Sequence, residues 1–257
     1  MNRAITCIFA VLIWTCTLPV AASAFVVDWD YTLDYGFTSW TIDEGGSSAL
    51  PILAEDPVTL AGDSGYRQLT WGDPVNDDAR SSIWFERKVG TAQTNGPIVD
   101  VINMFHDNYP IWSTSDILTG GVVRSVLTLS PSGSADEESF TTTFDFFFWE
   151  TLNDGSYQDD IFLVASIADA EFDFLYDGIE YMVSFLPSFD LVPTENLVDN
   201  NIPWQGPAFG WTTVEEQRNE EHTKFQVTAA PVPEPSTFIV FGIGLLSLIA
   251  LRRRSRS

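Results

Sequence analysis

The segment Phe140–Trp149, which reads FTTTFDFFFW, decides the fold class of this chain. Its aromatic and polar residues alternate, so that Phe144, Phe146 and Phe148 fall on one face of an extended strand. Residues Ile179–Phe185 repeat the alternation of apolar and polar side chains. A period of two residues is typical of a strand that buries one face, and it therefore predicts β structure in both segments.

Further strand candidates are short apolar or β-branched segments that turn-forming residues separate. They are Val26–Leu33, Tyr66–Trp71, Ser82–Lys88, Ile98–Phe105, Val122–Leu129, Ile161–Ser166, Phe172–Tyr176 and Thr223–Thr228. Between two of the candidates, Asp177-Gly178 is a dipeptide that favours the tight turn of a β-hairpin. No stretch of residues 25–231 shows a sustained helical period. The sequence predicts an all-β fold, a two-sheet antiparallel sandwich of which the jelly roll is one arrangement.

The composition is strongly acidic, with 36 aspartates and glutamates against 12 lysines and arginines and a formal net charge of −24. Five of the basic residues lie in the two terminal segments, so the part of the chain between them is more acidic still. Such a charge repels nucleic acid phosphates and anionic lipid headgroups, and we expect neither as a partner. It is compatible with divalent cations, with a hydrated polysaccharide matrix that holds them, or simply with solubility outside the cell.

The N-terminal segment has the features of a secretory signal peptide. Arg3 precedes the apolar stretch Ala4–Val20, and the small-residue cleavage pattern Ala22-Ser23-Ala24 follows. We expect residues 1–24 to direct the chain to the Sec translocon and to be removed. Both cysteines of the sequence fall inside this segment, so the mature chain is expected to have neither a disulfide nor a thiolate metal site.

The C-terminal segment combines a short motif, an apolar run and a basic cluster. The motif Pro233-Glu234-Pro235 precedes the apolar run Thr237–Leu251, and the basic cluster consists of Arg252, Arg253, Arg254 and Arg256. A helix over this run is about 22 Å long, which is short for a hydrocarbon core of about 30 Å. The arginines favour a cytoplasmic C-terminus. We therefore expect a transient transmembrane helix in the inner membrane that is processed near its outer end, with a plain single-pass anchor as the alternative.

This three-part order resembles the PEP-CTERM sorting signal of Gram-negative bacteria. The resemblance implies recognition by an exosortase, a membrane-embedded cysteine protease or transpeptidase that cleaves near the motif. It also implies a host that makes exopolysaccharide, and a destination at the cell surface or in the extracellular space. The expected organisation is then a signal peptide (residues 1–24), an exported acidic β domain (residues 25–231) and a sorting tail (residues 232–257).

Six short segments of the expected β domain are similar, in their order, to the THxN family of PEP-CTERM proteins. They are Leu69–Pro74, Phe105–Ile111, Leu127–Leu129, Trp149–Asn153, Asp160–Phe162 and Gly210–Glu215. His106 and Asn108 stand at the histidine and asparagine positions of the motif that names the family, whereas Phe105 stands where the family has threonine. The family has no established activity, so the resemblance implies a shared fold and no reaction.

His106 and Asn108 are also candidates for a ligand site on chemical grounds, because an imidazole can bind a metal or act as a base. A hydrogen-bonded structural histidine is the alternative. Trp204 and Trp211 are candidates for a sugar-stacking surface, since the composition of Pro203–Pro207 is typical of a loop that can present a ring. For these tryptophans, the alternative is a place in the core.

An acidic loop that includes Asp154, Asp159 and Asp160 carries the oxygen ligands that calcium prefers. Its spacing is not that of an EF-hand, which makes the pattern unspecific. Asn76-Asp77-Asp78 is a second acidic cluster of the same kind. At both places, an ordinary solvated acidic loop is the alternative.

No catalytic pattern in the sequence has the spacing that its chemistry requires. The segment Gly62–Gly65 resembles the nucleophile motif of trypsin-like proteases, but both histidines follow Ser64, which contradicts the chain order of that triad. We expect a non-enzymatic protein of the cell surface or extracellular matrix, associated with exopolysaccharide or biofilm, with calcium as the one cofactor to test. The alternative is a secreted carbohydrate-binding module or carbohydrate-active enzyme that depends on calcium.

Overall fold

A computed structural model of the chain describes residues 27–75, 79–151, 159–168, 170–186, 190–199 and 202–229. The predicted signal peptide and sorting tail lie outside these residues. Among the described residues, no helix combines the length and the apolar character that crossing a membrane requires.

The chain divides into two compact units, of which residues 27–174 and 181–228 form the larger one. Of the other unit, the structure describes Leu175–Glu180 and Ala229. Within Leu175–Glu180, Asp177 and Gly178 have φ angles of 49° and 75°. Two consecutive residues with positive φ are the mark of a type I′ hairpin turn, and the tight turn that the sequence predicts here is confirmed.

The described residues form fourteen strands and one short helix. They are β1 (Asp28–Asp43), β2 (Leu53–Leu60), β3 (Asp63–Trp71), β4 (Ser81–Phe85), β5 (Lys88–Gln93), β6 (Val99–Asn108), β7 (Ile117–Pro131), β8 (Glu138–Trp149), β9 (Asp160–Ala168), β10 (Glu171–Tyr176), β11 (Ile179–Leu186), β12 (Asp190–Leu191), α1 (Thr194–Asp199), β13 (Phe209–Thr213) and β14 (Gln217–Ala229). Hydrogen bonds join the strands in the order β10-β11-β14-β6-β4-β3-β1-β7-β8-β9-β13-β12, while β2 pairs with β3 and β5 pairs with β1. The prediction of an all-β, antiparallel fold is confirmed.

Strand β1 shows how the alternation of the sequence builds the core. Alternate residues of its first ten positions point inward and are buried, namely Trp29, Tyr31, Leu33, Tyr35 and Phe37. Each buried aromatic ring removes a large apolar area from water, which is the main favourable term in folding. In β8, Phe146 and Phe148 are likewise buried, whereas Phe147 between them is exposed.

The sheet is curled, so that its two halves face each other as layers. His106 on β6 contacts the rings of Phe148 on β8 and Phe162 on β9, although five strands separate β6 from β9 in the sheet order. Tyr31 on β1 and Phe225 on β14 meet in the same way, with their ring centroids 5.1 Å apart. The layers of the sandwich therefore belong to one sheet with continuous hydrogen bonding.

The connection between the layers runs through β1. Its whole length pairs with β7, while its first half also pairs with β5 and Phe37 pairs with Tyr66 of β3. The register with β7 shifts between Phe37 and Ser39 and again between Thr41 and Ile42. Such irregularities bend a strand and increase its twist, which allows one strand to serve both layers.

Candidate functional site

The ends of three neighbouring strands meet at one edge of the sheet. Strand β8 ends at Trp149, which pairs with Ile161 of β9, and Asp160 at the start of β9 pairs with Thr213 at the end of β13. Because the three strands are antiparallel neighbours, the residue that follows β8, the first residue of β9 and the turn that follows β13 come together.

This edge carries three acidic side chains that form a carboxylate cluster, defined here as Glu150, Asp160 and Glu215. One carboxylate oxygen from each residue lies within 4.8 Å of the others. Asp160 is fully buried, with 0 % of its surface exposed, while Glu150 and Glu215 are half-buried. Glu150 Oε1, Asp160 Oδ2 and both carboxylate oxygens of Glu215 are buried, so the cluster is shielded from solvent although its two glutamates are partly exposed as residues.

Few hydrogen-bond donors among the described residues contact the carboxylates of the cluster. The indole Nε1–H of Trp71 donates a hydrogen bond to Glu150 Oε2 over 3.1 Å, and the backbone N–H of Thr151 donates to Asp160 Oδ1 over 2.9 Å. Glu150 Oε1 and Asp160 Oδ2 have no hydrogen-bond partner among the described residues. Neither residue forms an ion pair with a lysine or arginine in that part of the chain.

Burial and mutual repulsion change how these acids ionise. Burial raises the pKa of Glu150 from 4.5 to about 8, and the negative charge of Glu215 adds to the shift. Burial raises the pKa of Asp160 well above its ordinary value too, and the charge of Glu150 contributes. Together the three groups can hold a hard cation, and without one Glu150 and Asp160 keep protons that exposed acids lose.

His106 lies in the core beside the cluster, with 2 % of its surface exposed. Its Nδ1 lies 2.9 Å from Thr213 Oγ1, and its ring stacks on Trp71 with centroids 5.5 Å apart. Burial lowers the pKa of His106 to about 3, so the imidazole is neutral at physiological pH. The ring is thus placed as a packed, hydrogen-bonded group of the core, which is the structural alternative given above.

Asn108 completes the link between β6 and β13. It is fully buried, and its Nδ2–H donates to the backbone oxygen of Thr213 over 3.1 Å. Residues from five of the six segments that resemble the THxN family thus meet at this edge, namely Trp71, His106, Asn108, Glu150, Asp160, Thr213 and Glu215. Residues from five strand ends fix one another there, although they are far apart in the sequence.

The two tryptophans proposed for sugar stacking lie in different environments. Trp211 is a β13 residue with 7 % of its surface exposed, and its ring stacks on Phe162 at 4.7 Å. The expectation that Trp211 presents a ring to a sugar is therefore corrected, since its side chain is buried against the protein. Trp204 is half-buried and its Nε1–H donates to the backbone oxygen of Pro207 over 3.3 Å.

Trp204 belongs to a surface aromatic group, called here the aromatic patch, that consists of Phe147, Trp149 and Trp204. The rings of Trp204 and Phe147 meet edge to face at 6.0 Å, and Phe147 and Trp149 are 5.8 Å apart. Phe147 is 45 % exposed. Below the patch lies a small apolar cluster that includes Leu163, to which Trp149 and Trp204 are packed.

The structure places only some of the calcium candidates of the acidic loop, and only one of them belongs to the carboxylate cluster. Asp154 lies outside the described residues, as do residues 76–78. Asp159 is half-buried and is not a member of the carboxylate cluster, whereas Asp160 is. The companions of Asp160 are Glu150 and Glu215, which the sequence did not single out as ligands. Each follows the end of a strand within a segment of the THxN resemblance, and this position is the signal that marks them.

Comparison with protein families identifies one match. Residues 231–254 match the family model of the PEP-CTERM protein-sorting motif. The sorting signal predicted at this end of the chain is thereby confirmed, and it supports exosortase-type sorting to the cell surface. A comparison of the chain with curated proteins gives no match.

Proposed function

We propose that this chain is a non-enzymatic protein of the cell surface or extracellular matrix, which an exosortase processes at its C-terminal tail after export. The match of residues 231–254 to the sorting motif carries this proposal. The acidic composition fits the same destination, because a strongly negative surface keeps a protein soluble and can bind the divalent cations of a hydrated polysaccharide matrix.

The geometry at the strand ends favours a binding or structural role over catalysis. A general base must reach its substrate within hydrogen-bond distance. His106 and Asp160 are both buried in the core, and the low pKa of His106 leaves its ring neutral. Among the described residues, these two groups are thus packed inside the protein and are not exposed for contact with a polysaccharide.

The processing step is tested by mass spectrometry of the C-terminus of the exported protein, purified from a Gram-negative host that has an exosortase. We expect a C-terminus near the motif Pro233-Glu234-Pro235 and no trace of Arg252–Arg256. In a strain without the exosortase, and in a variant with Glu234→Ala, the tail should stay attached and the protein should stay in the membrane fraction. An exported wild-type protein with an intact arginine tail would contradict the proposal.

A second candidate function is carbohydrate binding, and the aromatic patch favours it. Two partly exposed rings beside the exposed Phe147 offer apolar faces of the kind that stack on sugars. The test is binding of the full-length chain, in mild detergent, to an array of polysaccharides. Loss of binding in Trp204→Ala, with binding kept in a matched Trp112→Ala variant at another exposed tryptophan, supports this function. Equal binding by both variants, or none by the wild type, removes it.

A further inference from the structure

We propose that Glu150, Asp160 and Glu215 form a binding site for a divalent cation of the calcium type, which ties together the ends of β8 and β9 and the turn after β13. The site is independent of the sorting signal and of the aromatic patch. It differs from the acidic loop of the sequence prediction, because two of its three ligands come from outside residues 154–160.

Distances fit this cation. Calcium binds oxygens at about 2.3–2.6 Å, so two oxygens on one ion lie at most about 4.6–5.2 Å apart. The three carboxylate oxygens of the cluster lie within 4.8 Å of one another. Magnesium binds at about 2.0–2.1 Å, requires near-ideal octahedral geometry and keeps much of its water, which suits this wide, protein-built cluster less well. Zinc prefers nitrogen and sulfur ligands, and the cluster offers oxygens.

Thr151 provides a second, independent observation that points to a ligand. Its backbone N–H holds Asp160 Oδ1, and its hydroxyl faces the same carboxyl group. Thr151 is 5 % exposed, yet its Oγ1 makes no hydrogen bond of ordinary geometry with any described residue. A buried oxygen without a partner costs about 1–3 kcal/mol, and nearly all such atoms in proteins are satisfied. A cation beside Asp160 satisfies it as a ligand.

Charge leads to the same conclusion. Asp160 Oδ2 is buried and has no hydrogen-bond partner among the described residues, and neither Asp160 nor Glu150 forms an ion pair with a base there. Buried carboxylates need a counter-charge. Oxygens of all three residues are shielded from solvent, so a cation bound there takes most of its ligands from the protein.

The cation also has a structural consequence. Trp149 precedes Glu150 directly, and the apolar cluster under the aromatic patch includes Ile161, the neighbour of Asp160. An ion held by Glu150, Asp160 and Glu215 fixes the strand ends that carry these residues. Calcium binding is therefore expected to stabilise the whole edge of the sheet.

The test uses the full-length chain in mild detergent and terbium, a luminescent substitute for calcium. Trp71 donates to Glu150 directly, so excitation of tryptophan should sensitise the emission of a terbium ion in the cluster. We expect saturable emission that calcium abolishes by competition. Calcium at one hundred times its Kd should also raise Tm by about 5–10 °C over the value in EDTA.

Matched variants assign the signal to the cluster. Asp160→Asn keeps the shape of the side chain and its acceptor for Thr151, and Glu215→Gln changes a half-buried ligand; both should lose the emission and the rise in Tm. Asp159→Asn, which removes the neighbouring acid, should behave as the wild type. If Asp160→Asn does not fold, Glu215→Gln decides. No emission or Tm shift in the wild type, a signal lost only in Asp159→Asn, or a response to magnesium larger than that to calcium overturns the proposal.

Discussion

Two groups of acidic side chains in this protein differ in whether a basic side chain balances their negative charge. Asp34 and Asp107 are half-buried, and each accepts hydrogen bonds from two nitrogens of an arginine, at 2.8–2.9 Å from Arg67 and 2.7–3.0 Å from Arg218. Asp160 is fully buried and Glu150 is half-buried with its Oε1 shielded from solvent, and among the described residues no lysine or arginine forms an ion pair with them.

The difference shows which carboxylates of this acidic chain are paired with its few lysines and arginines. The hydrogen bonds that Arg218 donates to Asp107 raise the pKa of Arg218, so that pair is stable as two charges. At the carboxylate cluster, burial raises the pKa of Glu150 and Asp160 instead, and the charges of the neighbouring acids add to the shift. The two groups should therefore respond oppositely to mutation, to pH and to calcium.

The largest expected effect concerns His106, the buried base beside the cluster. Its pKa falls from 6.5 to about 3 on folding. Below pH 6.5, His106 therefore binds a proton in the unfolded chain but not in the folded protein. Stability is lost as the pH falls, by about 3 kcal/mol between pH 6.5 and pH 4. Urea denaturation at both pH values should show the advantage of the wild type over His106→Gln shrinking by this amount.

The exposed His222, which pairs with Asp100 at 2.6 Å, gives the control for that experiment. The advantage of the wild type over a His222→Gln variant should change much less across the same range, because the side chain of His222 is exposed and folding does not bury it. A difference between the wild type and His106→Gln that stays constant with pH would show that His106 is not kept neutral by burial.

The next effect compares two tryptophans that donate to carboxylates. Trp71 donates to Glu150, whereas Trp84 donates to Asp107, which Arg218 also holds. Trp71→Phe should cost about 2–3 kcal/mol, since it opens space in the core and removes a donor that nothing replaces. Trp84→Phe should cost about 1 kcal/mol. Urea denaturation measures the free energy of unfolding of both variants. Equal losses of stability would contradict the difference expected between the two carboxylates.

A smaller effect on stability is expected when single carboxyl groups are replaced by amides, with the stability measured in EDTA. Its sign is opposite for the two groups of acids. Because the pKa of Glu150 rises from 4.5 to about 8, the unfolded state ionises first, and stability declines as the pH rises between these values. Glu150→Gln lacks this loss, and solvent screening of the half-buried side chain reduces its size, so the variant should exceed the wild type by about 2 kcal/mol at pH 8 and equal it near pH 5.

Asp107→Asn is the matched control for that variant, because it removes a carboxylate that an arginine already holds. It should be slightly less stable than the wild type at pH 8. Glu221, whose pKa burial raises to about 7, titrates in the same range in all three proteins and cancels in the differences. Destabilisation of Glu150→Gln at pH 8 in EDTA would mean that Glu150 is not destabilising in its ionised form.

Strands long enough to show an alternation of buried and exposed residues could be predicted from the sequence. Exposed or very short strands could not. The alternating residues of β1, β8 and β11 mark them clearly. The sequence did not reveal β2, an exposed strand with Pro57 and a positive φ at Asp56, because it buries too few side chains to show a period. Strand β13 was also missed, since its five residues are too few to show alternation.

The candidate site was predictable in part for a related reason. His106 and Asn108 are conspicuous in a chain with two histidines, and the THxN resemblance drew attention to them. Glu150 and Glu215 are two among 36 acids, and only the pairing of β8, β9 and β13 brings them to Asp160. Register between distant strands is a tertiary property, which a local pattern does not contain.

The most direct test of the central claim, that the buried carboxylates take their counter-charge from a cation, is X-ray diffraction from crystals grown with calcium. The anomalous difference map should show a peak about 2.3–2.6 Å from oxygens of Glu150, Asp160 and Glu215, and the peak should be absent for Asp160→Asn. A map of the wild type without a peak at these residues, or with calcium held by Asp159 instead, would contradict the account.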